Sequence, residues 1–308
     1  MRARVARQPL SPQAFGTLAA VGAYTLWGLV PLYWPLLEPA RPVEILAHRV
    51  VWTLVFVMGL LWVSGGWSAV SDALSQRRTR GLLALAAALV TTNWGVFIWA
   101  VSNGYVLESS LGYFINPLIS VLLGVVILGE RLRPLQWTAI ALGGLGVVVI
   151  TIGYGRLPLV SLALATSFGL YGLVKKRADV DAIPSLAIET GYALPFAAGY
   201  LAWLAWNGSG TFGQLGLTHS VLLAGGGVIT AVPLLLFGAA AVRIPLSRLG
   251  ILQYIGPLLQ FLLGLFVFGE AITPTRWAGF LLVWCALAVF TVDVLRLGQV
   301  RLRPRSGR

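Results

Sequence analysis

The sequence predicts an all-α integral membrane protein of ten transmembrane helices, arranged as two inverted five-helix repeats. Three observations lead there. Of the 308 residues, 58% are hydrophobic and only 10% charged, with a mean hydropathy of +0.85. A soluble domain carries about 25% charged residues, and no soluble core hides this much apolar surface. Apolar runs long enough for a bilayer, which needs about 20 residues, recur along the chain. Finally, PLISVLLGVVILGERLRPLQW (117–137) lies over PLLQFLLGLFVFGEAITPTRW (257–277) at an offset of 140, with identities that include Pro117/Pro257, Gly124/Gly264, Gly129/Gly269, Glu130/Glu270, Pro134/Pro274 and Trp137/Trp277.

The runs fall in order at 14–34, 43–63, 81–101, 107–128, 135–153, 157–174, 184–205, 219–241, 249–268 and 276–295. The first follows three arginines like a secretory leader. It runs on to Trp34 with no small-residue cleavage site, so it is expected to be retained. The second opens at Pro42, and proline suits the first turn of a helix. The longest connections, 64–80 and 206–218, leave no room for a soluble catalytic domain. The offset of 140 also aligns LLA at 82–84 with 222–224, and WGLV at 27–30 matches YGLV at 171–174. Residues 14–153 and 157–296 therefore read as two copies of one unit, flanked by basic tails at 1–13 and 297–308. Five helices per copy is an odd number, so the second copy enters the membrane from the opposite side. Inverted repeats are a mark of secondary transporters that alternate access.

The net charge of +12 suits either nucleic acid or membrane orientation. Its placement decides between them. With the gaps taken alternately, one side holds Arg2, Arg4, Arg7, Arg77, Arg78, Arg80, Arg131, Arg133, Lys175, Lys176, Arg177, Arg243, Arg248, Arg296, Arg301, Arg303, Arg305 and Arg308. The other holds Arg41, Arg156 and Arg276, and Arg49 is left inside a span. The positive-inside rule then places both termini in the cytoplasm and makes the charge a record of topology. No compact basic domain supports a nucleic-acid partner. The single cysteine, Cys285, precludes a disulfide within the chain. With only His48 and His219 beside it, neither a metal site nor a cofactor is expected.

The box PL…LLG…GE…P…W that closes each half resembles the EamA module of the drug/metabolite transporter superfamily. AHRVVW (47–52), NWGVFIWAVSNGYVLESSLGYFINP (93–117), SFGLYGLVKK (167–176) and LGILQYIGP (249–257) resemble its RarD subgroup. The resemblance spans nearly the whole chain outside the tails. It implies a ten-helix permease of the bacterial inner membrane that exports small molecules. RarD members are often described as chloramphenicol-sensitivity proteins, so the likeness supplies the class and not the cargo.

Ionisable groups are expensive away from water, so those within the spans are candidates for function. Glu44 lies in the first turn of the second span, where interfacial capping also accounts for it. His48, four residues on, shares its face and is placed to hydrogen-bond to it. Arg49 points about 140° from Glu44 and lies about 10 Å inside Pro42; snorkelling to the interface is the alternative. Glu189 occupies the corresponding stretch of the seventh span, which enters from the other side, and packing by hydrogen bonding is its plain alternative. A direct Arg49–Glu189 pair is not expected, because on the order of 12 Å of depth separates them. Glu189 is a candidate to bind a coupling proton.

Pro117 and Pro257 are expected to kink spans four and nine near their middles, beside Tyr113, Asn116, Gln253 and Tyr254. Bent helices with polar packing groups explain the same residues. Asn93 and Trp94 of span three, and Trp27 and Tyr171 at matching positions of spans one and six, suit the wall of a site for an amphipathic solute; interfacial anchoring of tryptophan and plain packing are the alternatives. The glycines at 143–146 and 225–227 follow no strand and read as close helix contacts rather than nucleotide loops. Glu130 and Glu270 read as turn chemistry.

The leading expectation is a secondary transporter that exports small organic metabolites or drugs by alternating access, with a small-molecule substrate and the lipid bilayer as its partners. The alternatives are a passive channel and an intramembrane enzyme on a lipid-linked substrate. The enzyme needs a nucleophile and base, and neither a G-x-S-x-G elbow nor a His-x-x-x-x-Asp pattern is found. The cargo, the direction, proton coupling and oligomeric state stay open at this level.

Overall fold

The computed structural model describes residues 11–128, 132–241, 243–244 and 252–302. Those residues form eleven α-helices: α1 Pro12–Leu29, α2 Pro42–Ser64, α3 Trp67–Ser75, α4 Arg77–Ser102, α5 Val106–Leu128, α6 Pro134–Tyr154, α7 Leu159–Ala178, α8 Ala182–Trp206, α9 Gly216–Ala241, α10 Ile255–Phe266 and α11 Pro274–Leu302. Seven of them (α1, α2, α4, α5, α6, α9 and α11) contain stretches long and apolar enough to cross a bilayer. Large apolar side chains stand outward: Trp206 is 91% exposed, Phe196 82% and Trp62 81%. Contiguous exposure of this kind suits lipid rather than water. The chain is an integral membrane protein.

Local chemistry sets the helix ends. Pro12, Pro42 and Pro134 sit in first turns, where their missing N–H is not needed. Gly65 and Gly155 take the left-handed conformation that closes α2 and α6. Three expectations need correction. The first run does not continue as one α-helix to Trp34, because it gives way to short 3-10 turns at Val30–Leu32 and Trp34–Leu37, where Pro31 and Pro35 remove backbone donors. The connection 64–80 contains α3. Pro257 does not kink the middle of a helix. It lies in the first turn of α10, and the interruption falls just before it, at the turn of Gln253 and Tyr254. Part of the predicted ninth span, 249–251, lies outside the described residues, as does Glu130. Pro117 does sit inside a continuous helix, α5.

The helices pack as follows. α2 lies against both α8 and α9, α1 against α9 and α10, α7 against α4 and α5, α8 against α4, α5 against α10, and α6 against α11. Glycines set several of these approaches. A Cβ at Gly146 would stand 2.9 Å from the Gly279 carbonyl on the α6–α11 contact, and one at Gly227 would meet Trp52 O at 2.5 Å and Thr53 N at 2.6 Å. Gly143 faces Leu118 and Gly225 faces the Tyr33 hydroxyl equally tightly, whereas Gly144 and Gly226 face open space. Both clusters are thus close-contact glycines at some positions only. Gly227→Ala is expected to cost about 2–3 kcal/mol by forcing α9 off the α2 backbone. Gly226→Ala should be neutral or gain up to about 1 kcal/mol from helix propensity. Thermal melting of the two purified variants checks the contrast.

Candidate functional site

Arg49 lies two turns into α2 and is 7% exposed. Its Nε donates to Thr230 Oγ1 of α9 at 2.6 Å. Gly227 makes this possible, since it brings α9 onto the α2 backbone at Trp52–Thr53. The guanidinium carbon stands 4.2 Å from the Trp94 ring centroid and 5.5 Å from that of Trp34. Aromatic faces attract a cation, more strongly where water is excluded. Nη1 is buried with no partner. No carboxylate among the described residues pairs with Arg49, Glu189 included. Arg49 does not snorkel to the interface.

Asn93, next to Trp94, ties three helices together. Its Nδ2 donates to Leu164 O at 3.0 Å and to Ser167 Oγ at 2.9 Å, both on α7. Its Oδ1 accepts from the Tyr113 hydroxyl of α5 at 3.2 Å. A buried amide satisfied on both sides holds its neighbours in one geometry, so Trp94 is presented to Arg49 by a fixed frame.

Nearer the start of α2, Glu44 is 2% exposed and lies beside a cleft of about 350 Å³ lined also by His48, Trp52, Leu204 and Phe212. The expected Glu44–His48 hydrogen bond is not formed. Glu44 Oε1 instead accepts from the Thr211 backbone N–H at 2.6 Å and from its hydroxyl at 2.9 Å. His219 Nε2 lies 2.9 Å from the same hydroxyl. The carboxylate is held by two donors of the loop before α9 rather than by its neighbour on its own helix. His48 stacks on Phe212 with centroids 4.8 Å apart, and both its ring nitrogens are buried without partners.

Glu189 of α8 is 1% exposed and accepts three hydrogen bonds: from Tyr171 at 3.0 Å, Ser185 at 2.7 Å and Lys175 Nζ at 2.8 Å. Lys175 also donates to Ser185. By sequence Lys175 counted only as a cytoplasmic charge. The signal that reveals it is spacing, because Tyr171 and Lys175 are four apart on α7, as are Ser185 and Glu189 on α8. Trp27 packs on Tyr24 and Phe237 rather than with Tyr171.

Two further carboxylates, buried Glu108 and half-buried Glu270, cap helices. Glu108 accepts from Val160 N at the start of α7 and pairs with Arg156 at 2.9 Å. Glu270 accepts from Val106 N and Leu107 N at the start of α5. Burial pushes the Glu270 carboxyl up, and those two backbone donors oppose the shift. Arg276 lies 3.9 Å over the Tyr154 ring, so two of the three arginines that break the charge asymmetry have structural partners. Of the remaining candidates, Tyr254 packs in the apolar cluster around Phe114 and Phe261. Asn116 Oδ1 is buried without a partner. None of Asn116, Gln253 and Tyr254 is hydrogen-bonded to Arg49, Asn93 or Glu189 among the described residues.

A helical membrane body with ionisable and aromatic groups gathered between its helices fits a multi-pass membrane transporter, and comparison with known proteins gives that class. The EamA-like transporter family matches residues 14–152. A Streptomyces exfoliatus protein described as "Protein RarD" is 52% identical over 293 residues, 95% of this chain and 93% of that protein. A Vibrio cholerae protein described as an "Uncharacterized transporter" is 45% identical over 290 residues, 94% and 96% of the two chains. One crystal structure superposes with a TM-score of 0.58 over 92% of this chain and 99% of the other, at 21% identity, a likeness of fold alone. The chain belongs to the EamA family of transporters and is RarD-like.

Proposed function

We propose that this chain is a secondary transporter that exports small organic solutes across the bacterial inner membrane by alternating access, built from two inverted five-helix repeats that give ten transmembrane helices. The observation that carries this reading is the exchange symmetry of the packing. Replacing α1, α2, α4, α5 and α6 by α7, α8, α9, α10 and α11, and the reverse, turns α1–α9 into α7–α4, α1–α10 into α7–α5 and α2–α9 into α8–α4. It leaves α2–α8, α5–α10 and α6–α11 in place. All of these contacts occur. The family match to 14–152 supports the first unit, and the unequal division of basic residues supports cytoplasmic termini. Export as the direction rests on likeness to RarD proteins.

Within this reading Glu44, His48, Thr211 and His219 guard the outer end of α2, and Tyr171, Lys175, Ser185 and Glu189 guard the inner end of α8. Arg49, Asn93, Trp94 and Tyr113 lie between, and Glu189 is the candidate for a coupling proton. Counterflow into proteoliposomes tests the transport class. A carrier is expected to show saturable uptake that is accelerated by solute inside the vesicle. Flux that never saturates would mark a channel, and a new chemical product would mark an enzyme. Topology has its own check: a cytoplasm-dependent reporter after Arg296 or near Arg78 should be active, and a periplasm-dependent one at either place silent.

A further inference from the structure

We propose that the transported solute carries a single carboxylate on an aromatic or apolar body, and that the free edge of the Arg49 guanidinium receives that carboxylate. This names the substrate class of the transport reading above and rests on it. The guanidinium presents its donors in a fixed planar fork. Thr230 takes Nε, which leaves the two terminal nitrogens as a pair whose spacing matches the two oxygens of a carboxylate. Nη1 is buried and unmatched, and no described carboxylate answers the charge. A buried donor on a charged group is costly to leave unmade, so its retention in an apolar interior points to an acceptor that arrives from outside the chain.

The surroundings define the remainder of the ligand. Thr53 Oγ1, one turn further along α2, and Trp34 Nε1 are likewise buried without partners, which adds neutral hydrogen-bonding groups and no second charge. No lysine or other arginine shares a hydrogen bond or an aromatic ring with Arg49 among the described residues. One unit of positive charge balances a monocarboxylate and leaves a phosphate dianion half compensated. Trp34 and Trp94 flank the cation, and Phe97 packs in the same apolar cluster as Trp34. Such walls suit a flat apolar body, and the guanidinium between them repels a polyamine of like charge. Glu44 carries the nearest acidic group of α2, and its Oε1 is occupied by Thr211, so it does not compete for the guanidinium. Arg49 lines neither the cleft at Glu44 and His48, whose wall on α2 runs on to Trp52, nor the apolar one between α2, α4 and α8. The anion site is therefore closed to both clefts in this conformation.

The full chain in lipid nanodiscs provides the test, by binding of phenylacetate against phenylacetamide and of indole-3-acetate against indole-3-acetamide. Each acid is expected to bind at least about tenfold more tightly than its uncharged amide, the effect of one charge-assisted hydrogen-bonded pair. Arg49→Gln should erase that preference and Arg49→Lys should keep part of it. Equal binding of acids and amides, binding of neither, or an unchanged preference in Arg49→Gln overturns the inference, and the comparison in the unmodified protein decides even if a variant does not fold. Counterflow separates the two readings. Saturable flux confined to uncharged or cationic solutes removes the carboxylate and leaves the transporter. Acid-selective binding with no saturable flux of any solute does the reverse.

Discussion

Arg49→Met is expected to lower initial solute flux by at least about 30-fold, the effect of truncating one partner of a buried charged pair, while the folded protein loses little stability. The two outcomes diverge for a physical reason. In the resting structure the guanidinium has one hydrogen bond, to Thr230, and two aromatic faces, with Nη1 unmatched. A lone cation in a low-dielectric interior carries a desolvation penalty that such contacts only partly offset, and replacing buried ionic groups by apolar ones of similar volume is often neutral or stabilising. Methionine is flexible enough to fill the space between Trp34 and Trp94. Its melting temperature should therefore stay within a few degrees of the unmodified protein, corresponding to about 1 kcal/mol or less. Flux should collapse because the group that meets the solute is gone. The measurement is initial flux per inserted protein beside thermal melting. A variant that melts far lower and loses flux only in proportion would reduce Arg49 to packing. Arg49→Lys separates charge from geometry, because it keeps the cation and gives up the fork and the Thr230 bond.

Glu189 should behave in the opposite sense. Glu189→Leu removes an acceptor that Tyr171, Ser185 and Lys175 all use and strands the ammonium of Lys175 against an apolar side chain. Its expected destabilisation is about 2–4 kcal/mol, between the small value of a single intramembrane hydrogen bond and the large value of a broken buried pair. Glu189→Gln keeps one acceptor oxygen, for Tyr171 or for Ser185 and Lys175, and loses the charge and the second acceptor, so about half of that penalty is expected. If the carboxylate carries the coupling proton, Glu189→Gln should also flatten the dependence of flux on pH, since a protonatable group has been replaced by one that stays neutral. Flux over a pH series settles the point: an unchanged profile at normal rate makes Glu189 a strut between α7 and α8, and nothing more. Lys175→Met is the companion variant, expected to cost less because its side chain is 23% exposed whereas that of Glu189 is fully buried.

Several of these residues were legible in sequence because a bilayer makes them conspicuous. Glu44, His48, Arg49, Asn93 and Glu189 are polar or charged inside long apolar runs, and Pro42 marks how deep Arg49 sits. Adjacency along the chain does not give direction. Asn116, Gln253 and Tyr254 were chosen for standing beside Pro117 and Pro257, yet neighbours along a helix point to different faces, and none of the three joins Arg49, Asn93 or Glu189 by a hydrogen bond. Glu44 and His48 do share a face, but the carboxylate is held by donors on Thr211, in the loop before α9. Lys175 reads as a cytoplasmic-side charge by its place in a basic cluster, and its long stem also lets the charged head reach Glu189.

Sequence by itself determined that this chain lives in a membrane, that its halves echo one another, and that ionisable groups lie within its second and seventh spans. Those properties follow from composition, run length and repeat offset, which need no knowledge of what touches what. Only the tertiary structure decided the partners. Arg49 meets Thr230 across a sequence separation of 181 because Gly227 admits the α2 backbone, and it meets Trp34 because the short 3-10 turn that carries that ring packs on α4 and α9. Side-chain partners in a bundle are set by which helices pack and at what distance, a product of many weak contacts that no local pattern encodes.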